Sequence, residues 1–181
     1  MVVKENKKEQ RFDDYVIHPD VQNLLVDQLS AELYNKFLYE HFANYFALQG
    51  FSDLERYYRK RADEEETHYQ WIKKFLADND CCYQHPGVND VEEVIEDMID
   101  PFEMTVDAEN ETTELIYKIV DKALEIKDHI TYQWLMSDSE TSGCLVKEQA
   151  EEMSISRQAL DLANGDDSWI IKAAAINKLL D

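Results

Sequence analysis

Residues 62–72 have the sequence ADEEETHYQWI, in which a run of three glutamates is followed, after one threonine, by His68. The stretch contains no glycine or proline and is expected to be helical. Residues three apart on a helix are neighbours, so Glu65 and His68 share one face. The same face carries Arg61, Ala62, Ile72 and Phe75. It therefore points partly inward, where a carboxylate is unfavourable unless it is paired or bound to a cation. The segment predicts either a partly exposed helix pair or part of a metal site.

The composition of the chain favours one helical domain with an acidic surface. Its 181 residues suffice for one compact domain and include only four glycines and three prolines. The formal net charge is −21, from 39 acidic and 18 basic residues. A surface of this charge repels nucleic acid and anionic lipid and attracts cations. Because 44% of the residues are hydrophobic and 11% are aromatic, a packed core is expected rather than a disordered chain.

No segment of the sequence predicts contact with a membrane. The chain lacks the run of about 18 apolar residues that a membrane-spanning helix needs. Its first residues, MVVKENKKEQRFDD, lack the apolar core of a secretory signal peptide. The expected location is therefore cytoplasmic, where Cys81, Cys82 and Cys144 stay reduced. Residues 1–19 are interpreted as a polar N-terminal extension and residues 20–181 as the folded domain.

The first half of the folded domain predicts two long helices. Apolar residues at intervals of three and four indicate a first helix over about residues 21–49. One apolar set comprises Leu25, Leu29, Leu33 and Phe37, and a second comprises Tyr39, Phe42 and Phe46. Gly50 stands where a helix C-terminus favours glycine, and Ser52 is expected to cap a second helix that extends to about Asn79. A connection this short predicts antiparallel neighbours.

The second half of the chain predicts two more long helices and a short one. The segment VEEVIEDMID (91–100) is either a short helix or part of a long crossover. Asp100-Pro101 has the chemistry of a helix start, and this third helix fades between residues 128 and 135. A fourth helix is expected over about residues 144–163, and WIIKAAAINKLL forms a short fifth. The predicted fold class is all-α: a four-helix bundle with a long crossover between helices 2 and 3.

The first and third helices also carry an acidic residue on an apolar stripe. In the first helix, Glu32 lies between two leucines, and Tyr39 follows seven residues later on the same face. In the third helix, Glu109 shares its stripe with apolar residues, although Glu111 and Glu114 are rival positions. Taken alone, any one of these acids is equally well interpreted as a surface residue, or as a residue whose hydrogen bonds are made within the protein.

The fourth helix completes the pattern, because Gln149 and Glu152 lie at i and i+3 beneath Leu145. Four inward acids near the middle of four helices repel one another, and cations are needed to stabilise them. Oxygen ligands together with one imidazole suit iron, manganese or zinc better than a thiolate-preferring metal.

Taken together, these segments resemble the bacterial non-haem ferritins over nearly the whole chain. The segments that carry the resemblance are LSAELYNKFLYE, ADEEETHYQWI, ALEIKDHITY, VKEQAEEM and DSWIIKAAAINKLL. The resemblance implies a ferritin-like four-helix bundle with a short fifth C-terminal helix, so that residues 20–181 form a ferritin-like di-iron domain. It also implies a homo-oligomeric shell of 24 subunits that oxidises Fe(II) with O2 or H2O2 and stores the ferric mineral.

The same resemblance implies a role for each matching residue. A first iron would be held by Glu32, Glu65 and His68, and a second by Glu65, Glu109 and Glu152, with Glu65 bridging the two. Gln149 would lie beside the second iron, and Tyr39 matches the tyrosine beside the dinuclear centre. A third iron position, known in bacterial members, is matched by Glu64, Glu148 and Glu151.

The chain departs from related patterns at three places. Ile155 stands where a second Glu-x-x-His motif would have its histidine, which is similar to a ferritin and unlike bacterioferritin. Glu66 stands where bacterioferritin has its haem-ligand methionine, so no haem is expected. The segment MSDSETSG (136–143) is additional, and Asp138 and Glu140 are hypothesised to add to an acidic path for iron.

Three other functions remain open from sequence. A soluble ferritin-like di-iron oxidoreductase without a storage shell would need a cavity for an organic substrate. A protective mini-ferritin that coats DNA is disfavoured by the net charge of −21. A non-catalytic helical bundle would keep its acids for solubility alone and would take up no metal.

Overall fold

The computed structural model describes residues 16–137 and 144–180, and the regular structure in these ranges is entirely helical. None of the helices in the described ranges combines the length and the apolar character that a membrane span requires.

Two long helices form the first half of the bundle. Helix α1 spans Pro19–Leu48 and α2 spans Ser52–Asp78, and the two pack along each other. Between them Gly50 has a φ of 81°, a left-handed conformation that glycine adopts without strain and that reverses the chain. The prediction that Ser52 caps α2 is wrong, because Phe51 is the capping residue and makes no side-chain bond to the first turn.

The chain then crosses the bundle as an extended segment, residues 79–99, that contains no regular helix. Three side chains of α1 hold it: Gln22 donates to Cys82 O over 2.9 Å, Ser30 donates to Gly87 O over 2.9 Å, and Tyr34 donates to Glu93. These contacts advance along both segments, so the crossover runs parallel to α1. VEEVIEDMID therefore belongs to the long crossover up to residue 99 and is not a short helix.

The predicted third helix is in fact two helices. Helix α3 spans Asp100–Ile126 and ends where Lys127 turns left-handed, with a φ of 62°. Asp128 then caps the short helix α4 (His129–Met136) by accepting a hydrogen bond from the Thr131 amide over 3.0 Å. The sequence predicted a gradual end to the helix in this region, whereas the structure has a sharp break followed by a new helix.

The remaining helices complete the predicted fold class. Helix α5 spans Leu145–Asn164 and α6 spans Trp169–Asn177, followed by a 3-10 turn over Lys178–Leu180. The all-α bundle with a long crossover and a short C-terminal helix is confirmed. Of the predicted N-terminal extension, residues 1–15 lie outside the described residues, and Ile17 is buried beneath the start of α1.

The core contains two apolar clusters with a polar layer between them. In one cluster Tyr58 packs between Phe46 and Phe102, with ring centroids 5.6 Å from each. The other cluster includes Leu25, Leu29, Ile72, Ile116 and Leu145. The buried residues of the polar layer are Gln28, Glu32, Asn35, Arg61, Glu65, His68, Thr105, Glu109, Thr112, Gln149, Glu152 and Ser156. Burial of so many polar groups is unfavourable without compensating contacts, which makes the layer the candidate functional site.

One apolar set expected in α1 turns away from the core. Leu25 and Leu29 are fully buried, but Phe37 is 41% exposed. Each step of four residues rotates the side chain by about 40° around a helix, so a set built only from such steps leaves the buried face. The buried face of α1 instead continues through Glu32 and Asn35 toward Tyr39.

Candidate metal centre

Each of the four long helices delivers one carboxylate to the polar layer. Glu32 comes from α1, Glu65 from α2, Glu109 from α3 and Glu152 from α5. Glu152, the most accessible of them, is 5% exposed. Carboxylates are almost never buried to this extent unless they are paired or coordinate a metal ion. Four of them in one layer indicate a cation site.

The sequence left three candidates for the acid of α3, and the structure separates them. Glu109 is fully buried, whereas Glu111 and Glu114 are exposed. The buried stripe of α3 runs through Thr105, Glu109 and Thr112, which lie three and four residues apart.

The first group of ligand atoms comes from α1 and α2. Glu32, Glu65 and His68 each offer one ligand atom, and these atoms all lie within 4.8 Å of one another. His68 Nδ1 is 3.6 Å from Glu32 Oε2 and 3.8 Å from Glu65 Oε2. Two carboxylates and one imidazole nitrogen form a ligand set suited to a hard or borderline divalent ion.

The second group joins three helices and shares one member with the first. Glu65, Glu109 and Glu152 offer ligand atoms that also lie within 4.8 Å of one another. The two groups together consist of the five residues to which the resemblance gives the two iron positions. Glu65 belongs to both groups, which is the arrangement that a bridging carboxylate requires.

Several ligand atoms of these groups have no hydrogen-bond partner among the described residues. They are Glu32 Oε2, both carboxylate oxygens of Glu65, Glu152 Oε2 and His68 Nδ1. A buried oxygen without a partner destabilises the fold by about 1–3 kcal/mol. Because acceptor atoms on three carboxylates converge without donors, the residues present fit a bound cation.

Neighbouring side chains orient two of the carboxylates. Gln28 donates to Glu32 Oε1 over 2.7 Å, and Tyr39 donates to Glu109 Oε1 over 2.5 Å. Gln149 donates to Glu109 Oε2 over 2.7 Å, so its side chain lies beside the second group. Gln28 was missed by sequence reasoning, although its position one turn before Glu32 on a buried stripe was a usable signal.

Arg61 is a second residue whose role sequence reasoning missed. Its side chain is fully buried on α2, one turn before Glu65, and lies over the Tyr39 ring. Its guanidinium donates to Glu109 and lies 3.7 Å from Glu152 Oε1. The same group lies 3.2 Å from Glu64 Oε2 and 3.4 Å from Ser156 Oγ. The second ligand group therefore contains an internal cation.

Two acids of the centre, Glu65 and Glu152, hold their protons more tightly than an ordinary glutamate does. Burial, together with the charges of Glu152 and Glu109, raises the pKa of Glu65 well above its ordinary value. Burial also raises the pKa of Glu152 to about 8, against the attraction of His68. For Glu32, burial acts in the same direction, but the attraction of His68, whose Nδ1 lies 3.6 Å from Glu32 Oε2, outweighs it and lowers the pKa. Burial opposes the charge on His68, yet Glu152 and Glu32 raise its pKa well above the ordinary value.

The three acids predicted for a third iron are less buried than the acids of the two ligand groups. Glu64 is half-buried and paired with Arg61, Glu148 is half-buried, and Glu151 is exposed beside Lys147 at 3.8 Å. Within the described ranges these three do not form a cluster of mutually close ligand atoms. The third position stays a prediction.

Two further predictions concern residues away from the centre. Glu66 pairs with Lys36 over 2.8 Å at the protein surface, and this contact lowers the pKa of Glu66. Asp138 and Glu140 lie outside the described residues.

The fold and the two groups of potential ligands are typical of one class of protein: four-helix bundles in which inward-projecting carboxylates from the helices hold metal ions. Comparison with known proteins agrees. Residues 22–154 match the ferritin family, described as a ferritin-like domain. The protein belongs to the ferritin-like domain family.

Named relatives extend the comparison. Bacterial non-heme ferritins of Escherichia coli O6:H1 and Bacteroides fragilis (strain 638R) are each 25% identical to this chain over 146 residues. The alignments cover 77% and 81% of this chain and 87% of each relative. The resemblance to bacterial non-haem ferritins is thereby confirmed.

Solved structures show the same fold. An open-pore ferritin from the hyperthermophilic archaeon Archaeoglobus fulgidus superposes with a TM-score of 0.80 at 22% sequence identity. The superposition covers 91% of this chain and 96% of the archaeal chain. A humanized archaeal ferritin gives the same TM-score and identity.

Proposed function

We propose that this protein is an iron-storage ferritin that oxidises Fe(II) to Fe(III) at a dinuclear centre within each subunit. The observation that carries the proposal is Glu65, which belongs to both ligand groups and whose two carboxylate oxygens have no other partner among the described residues. Membership of the ferritin-like domain family and the non-heme ferritin relatives support the same function.

The proposed roles follow from the two ligand groups. Glu32 and His68 hold the first Fe(II), Glu109 and Glu152 hold the second, and Glu65 bridges them. The carboxylates stabilise Fe(III) more than Fe(II), which favours loss of an electron from each ion. With O2 as the oxidant, two Fe(II) ions each lose one electron, and O2 takes up both electrons with two protons to form H2O2. With H2O2 as the oxidant, the same two electrons and two protons give water.

Tyr39 and Gln149 are proposed to keep the second position in place, since both donate to Glu109. Tyr39 is also an oxidisable side chain, and its hydroxyl lies 2.5 Å from Oε1 of Glu109, a proposed ligand. The net charge of −21 attracts Fe(II) to the protein and favours ferric mineral on acidic inner surfaces.

The proposed assembly is a cytoplasmic homo-oligomeric shell. A shell of 24 copies of the 21.3 kDa chain has a mass of about 510 kDa. Fe(II) and O2 or H2O2 are the proposed partners, and the negative charge disfavours nucleic acid and anionic membranes.

The activity is tested by following the absorbance of Fe(III) after Fe(II) is added to the apo-protein in air. Glu65→Ala and His68→Ala are expected to abolish the rapid phase, whereas Glu114→Ala, which removes an exposed acid of α3, leaves it intact. Rapid oxidation that survives in both ligand variants contradicts the proposed centre.

Storage is tested by light scattering and iron loading of the wild-type protein. We expect a particle of about 510 kDa, 24 times the 21.3 kDa chain, that retains ferric iron through gel filtration. A small oligomer that oxidises Fe(II) but retains none supports an oxidoreductase without a shell. A particle that retards DNA at physiological salt supports a DNA-coating mini-ferritin, and a protein that takes up no metal supports a structural bundle.

A further inference from the structure

The two ligand groups differ before any ion binds. Both oxygens of Glu65 and one oxygen each of Glu32 and Glu152 have no hydrogen-bond partner among the described residues. Glu109 is the opposite case: Oε1 accepts hydrogen bonds from Tyr39 and Arg61, and Oε2 accepts one from Gln149. Each member of the first group thus has at least one ligand atom without a hydrogen bond, although Gln28 occupies the other oxygen of Glu32. In the second group both oxygens of Glu109 are already occupied by donors.

The guanidinium of Arg61 is placed where it competes with a metal ion. It contacts Glu109 and lies 3.7 Å from Glu152 Oε1, so it neighbours two of the three carboxylates in the second group. Its side chain is fully buried, and charge interactions in a buried site are screened much less than at a surface. A divalent ion bound by the second group has to share or displace this cation.

We propose that Arg61 sets the metal affinity of the second position: it acts as an internal counter-ion for Glu109 and Glu152, so that ions fill the centre in sequence. The first ion binds to Glu32, Glu65 and His68, which present free ligand atoms. The second ion binds only when Arg61 releases Glu109. This proposal rests on the proposed dinuclear centre and adds the order and the unequal strength of its two positions.

The surroundings of Arg61 provide an alternative partner for the guanidinium. Nη1 already lies 3.2 Å from Glu64 Oε2, and the Glu64 side chain is 39% exposed. When Glu109 turns to a metal ion, Arg61 keeps one carboxylate partner at the edge of the bundle. The buried charge of Arg61 is therefore not left unpaired when Glu109 is released. An unpaired buried charge would strongly oppose that release.

The inference is tested by calorimetric titration of the assembled apo-protein with Zn²⁺, a redox-inert ion that binds oxygen and imidazole ligands. Wild-type protein is expected to bind one tight and one weaker ion per chain. Arg61→Met removes the guanidinium and is expected to strengthen the second binding step by about tenfold or more, while the first step changes by less than about threefold. Arg61→Gln, which retains a donor for Glu109, is expected to act in the same direction and serves where Arg61→Met does not assemble.

Arg59→Met is the matched control, since Arg59 lies two residues earlier on α2 and pairs with Glu55 over 3.0 Å at the surface. It makes the same change in net charge and is expected to leave both binding steps as in the wild type. A second step that is unchanged or weaker in both Arg61 variants overturns the proposal. An equal gain in the affinity of the second step in Arg59→Met overturns the proposal as well, since the gain would then come from the change in net charge.

Failure of the dinuclear centre gives a different result. In that case wild-type protein binds no Zn²⁺ within the bundle, and Glu65→Gln binds the same number of ions as the wild type. The stoichiometry of the wild type and of Glu65→Gln thus tests the centre, whereas the ratio of the two affinities tests Arg61.

Discussion

Tyr39 donates a hydrogen bond to Glu109 Oε1 over 2.5 Å, which ties α1 to α3 in the middle of the bundle. Burial and the charge of Glu109 raise the pKa of Tyr39 well above its ordinary value, so the hydroxyl keeps its proton. The bond holds one oxygen of a proposed ligand in a fixed direction.

Replacement of Tyr39 by Phe is therefore expected to weaken both the fold and the oxidation of Fe(II). Loss of a buried hydrogen bond to a charged group lowers the free energy of unfolding by about 1.5–3 kcal/mol. Thermal denaturation of the apo-protein measures this change, and stopped-flow absorbance measures the slower oxidation. Tyr117→Phe, at a side chain that is 53% exposed, is the control. Equal stability and rate in Tyr39→Phe and Tyr117→Phe would contradict a positioning role for the hydroxyl.

Replacement of Glu65 by Gln is expected to stabilise the metal-free protein while removing its metal response. The Glu65 carboxylate has no donor among the described residues and lies among other acids. Without a cation, folding near neutral pH therefore requires Glu65 either to keep a buried charge or to take up a proton, and both are unfavourable. In EDTA, the melting temperature is expected to exceed that of the wild type, by about 2–4 °C for each kcal/mol gained. Added Zn²⁺ raises the melting temperature of the wild type and not that of the variant. Glu114→Gln should behave as the wild type, and a Zn²⁺ response in Glu65→Gln equal to that of the wild type argues against the shared ligand.

The stability of the metal-free protein is expected to fall as the pH rises from 4.5 through about 8. The folded pKa of Glu152, about 8, exceeds its ordinary value of 4.5, so its contribution is fully present below pH 4.5 and is lost as the pH rises through about 8. His68 acts in the same direction, because its folded pKa is raised well above 6.5. The lowered pKa of Glu32 gives a contribution that is lost only below pH 4.5, outside this window.

The measurement is the melting temperature in EDTA from about pH 6 to about pH 9. The wild type is expected to melt at progressively lower temperature, and Glu152→Gln is expected to have a shallower slope. A slope of equal steepness in Glu152→Gln would show that another group is responsible.

Much of the centre could be predicted because helical phase is readable from sequence. The i and i+3 spacing of Glu65 and His68 places both on the buried face of α2, and the same spacing places Gln149 and Glu152 on that of α5. Helical phase gives a wrong prediction where an apolar set is extended by steps of four residues only. Phe37 was added to the apolar set of α1 in this way and is exposed. Helical phase also does not decide between several acids that lie close together in the sequence. Only the packing of α3 shows that Glu109 is buried and Glu111 is exposed.

Contacts between helices were beyond sequence reasoning. The pairing of Arg61 with Glu109 depends on the axial register of α2 against α3, which no local pattern encodes. The break at Lys127 was missed for a related reason: Lys127 adopts a φ of 62°, and a lysine in this left-handed conformation gives no local sequence signal of the kind that glycine gives.

The most direct test of the central claim is anomalous diffraction from crystals exposed to Fe(II) without oxygen. Two peaks per chain are expected on either side of Glu65, one contacted by Glu32 and His68 and the other by Glu109 and Glu152. Peaks found only at surface acids such as Glu114, or no peak within the bundle, would contradict the account.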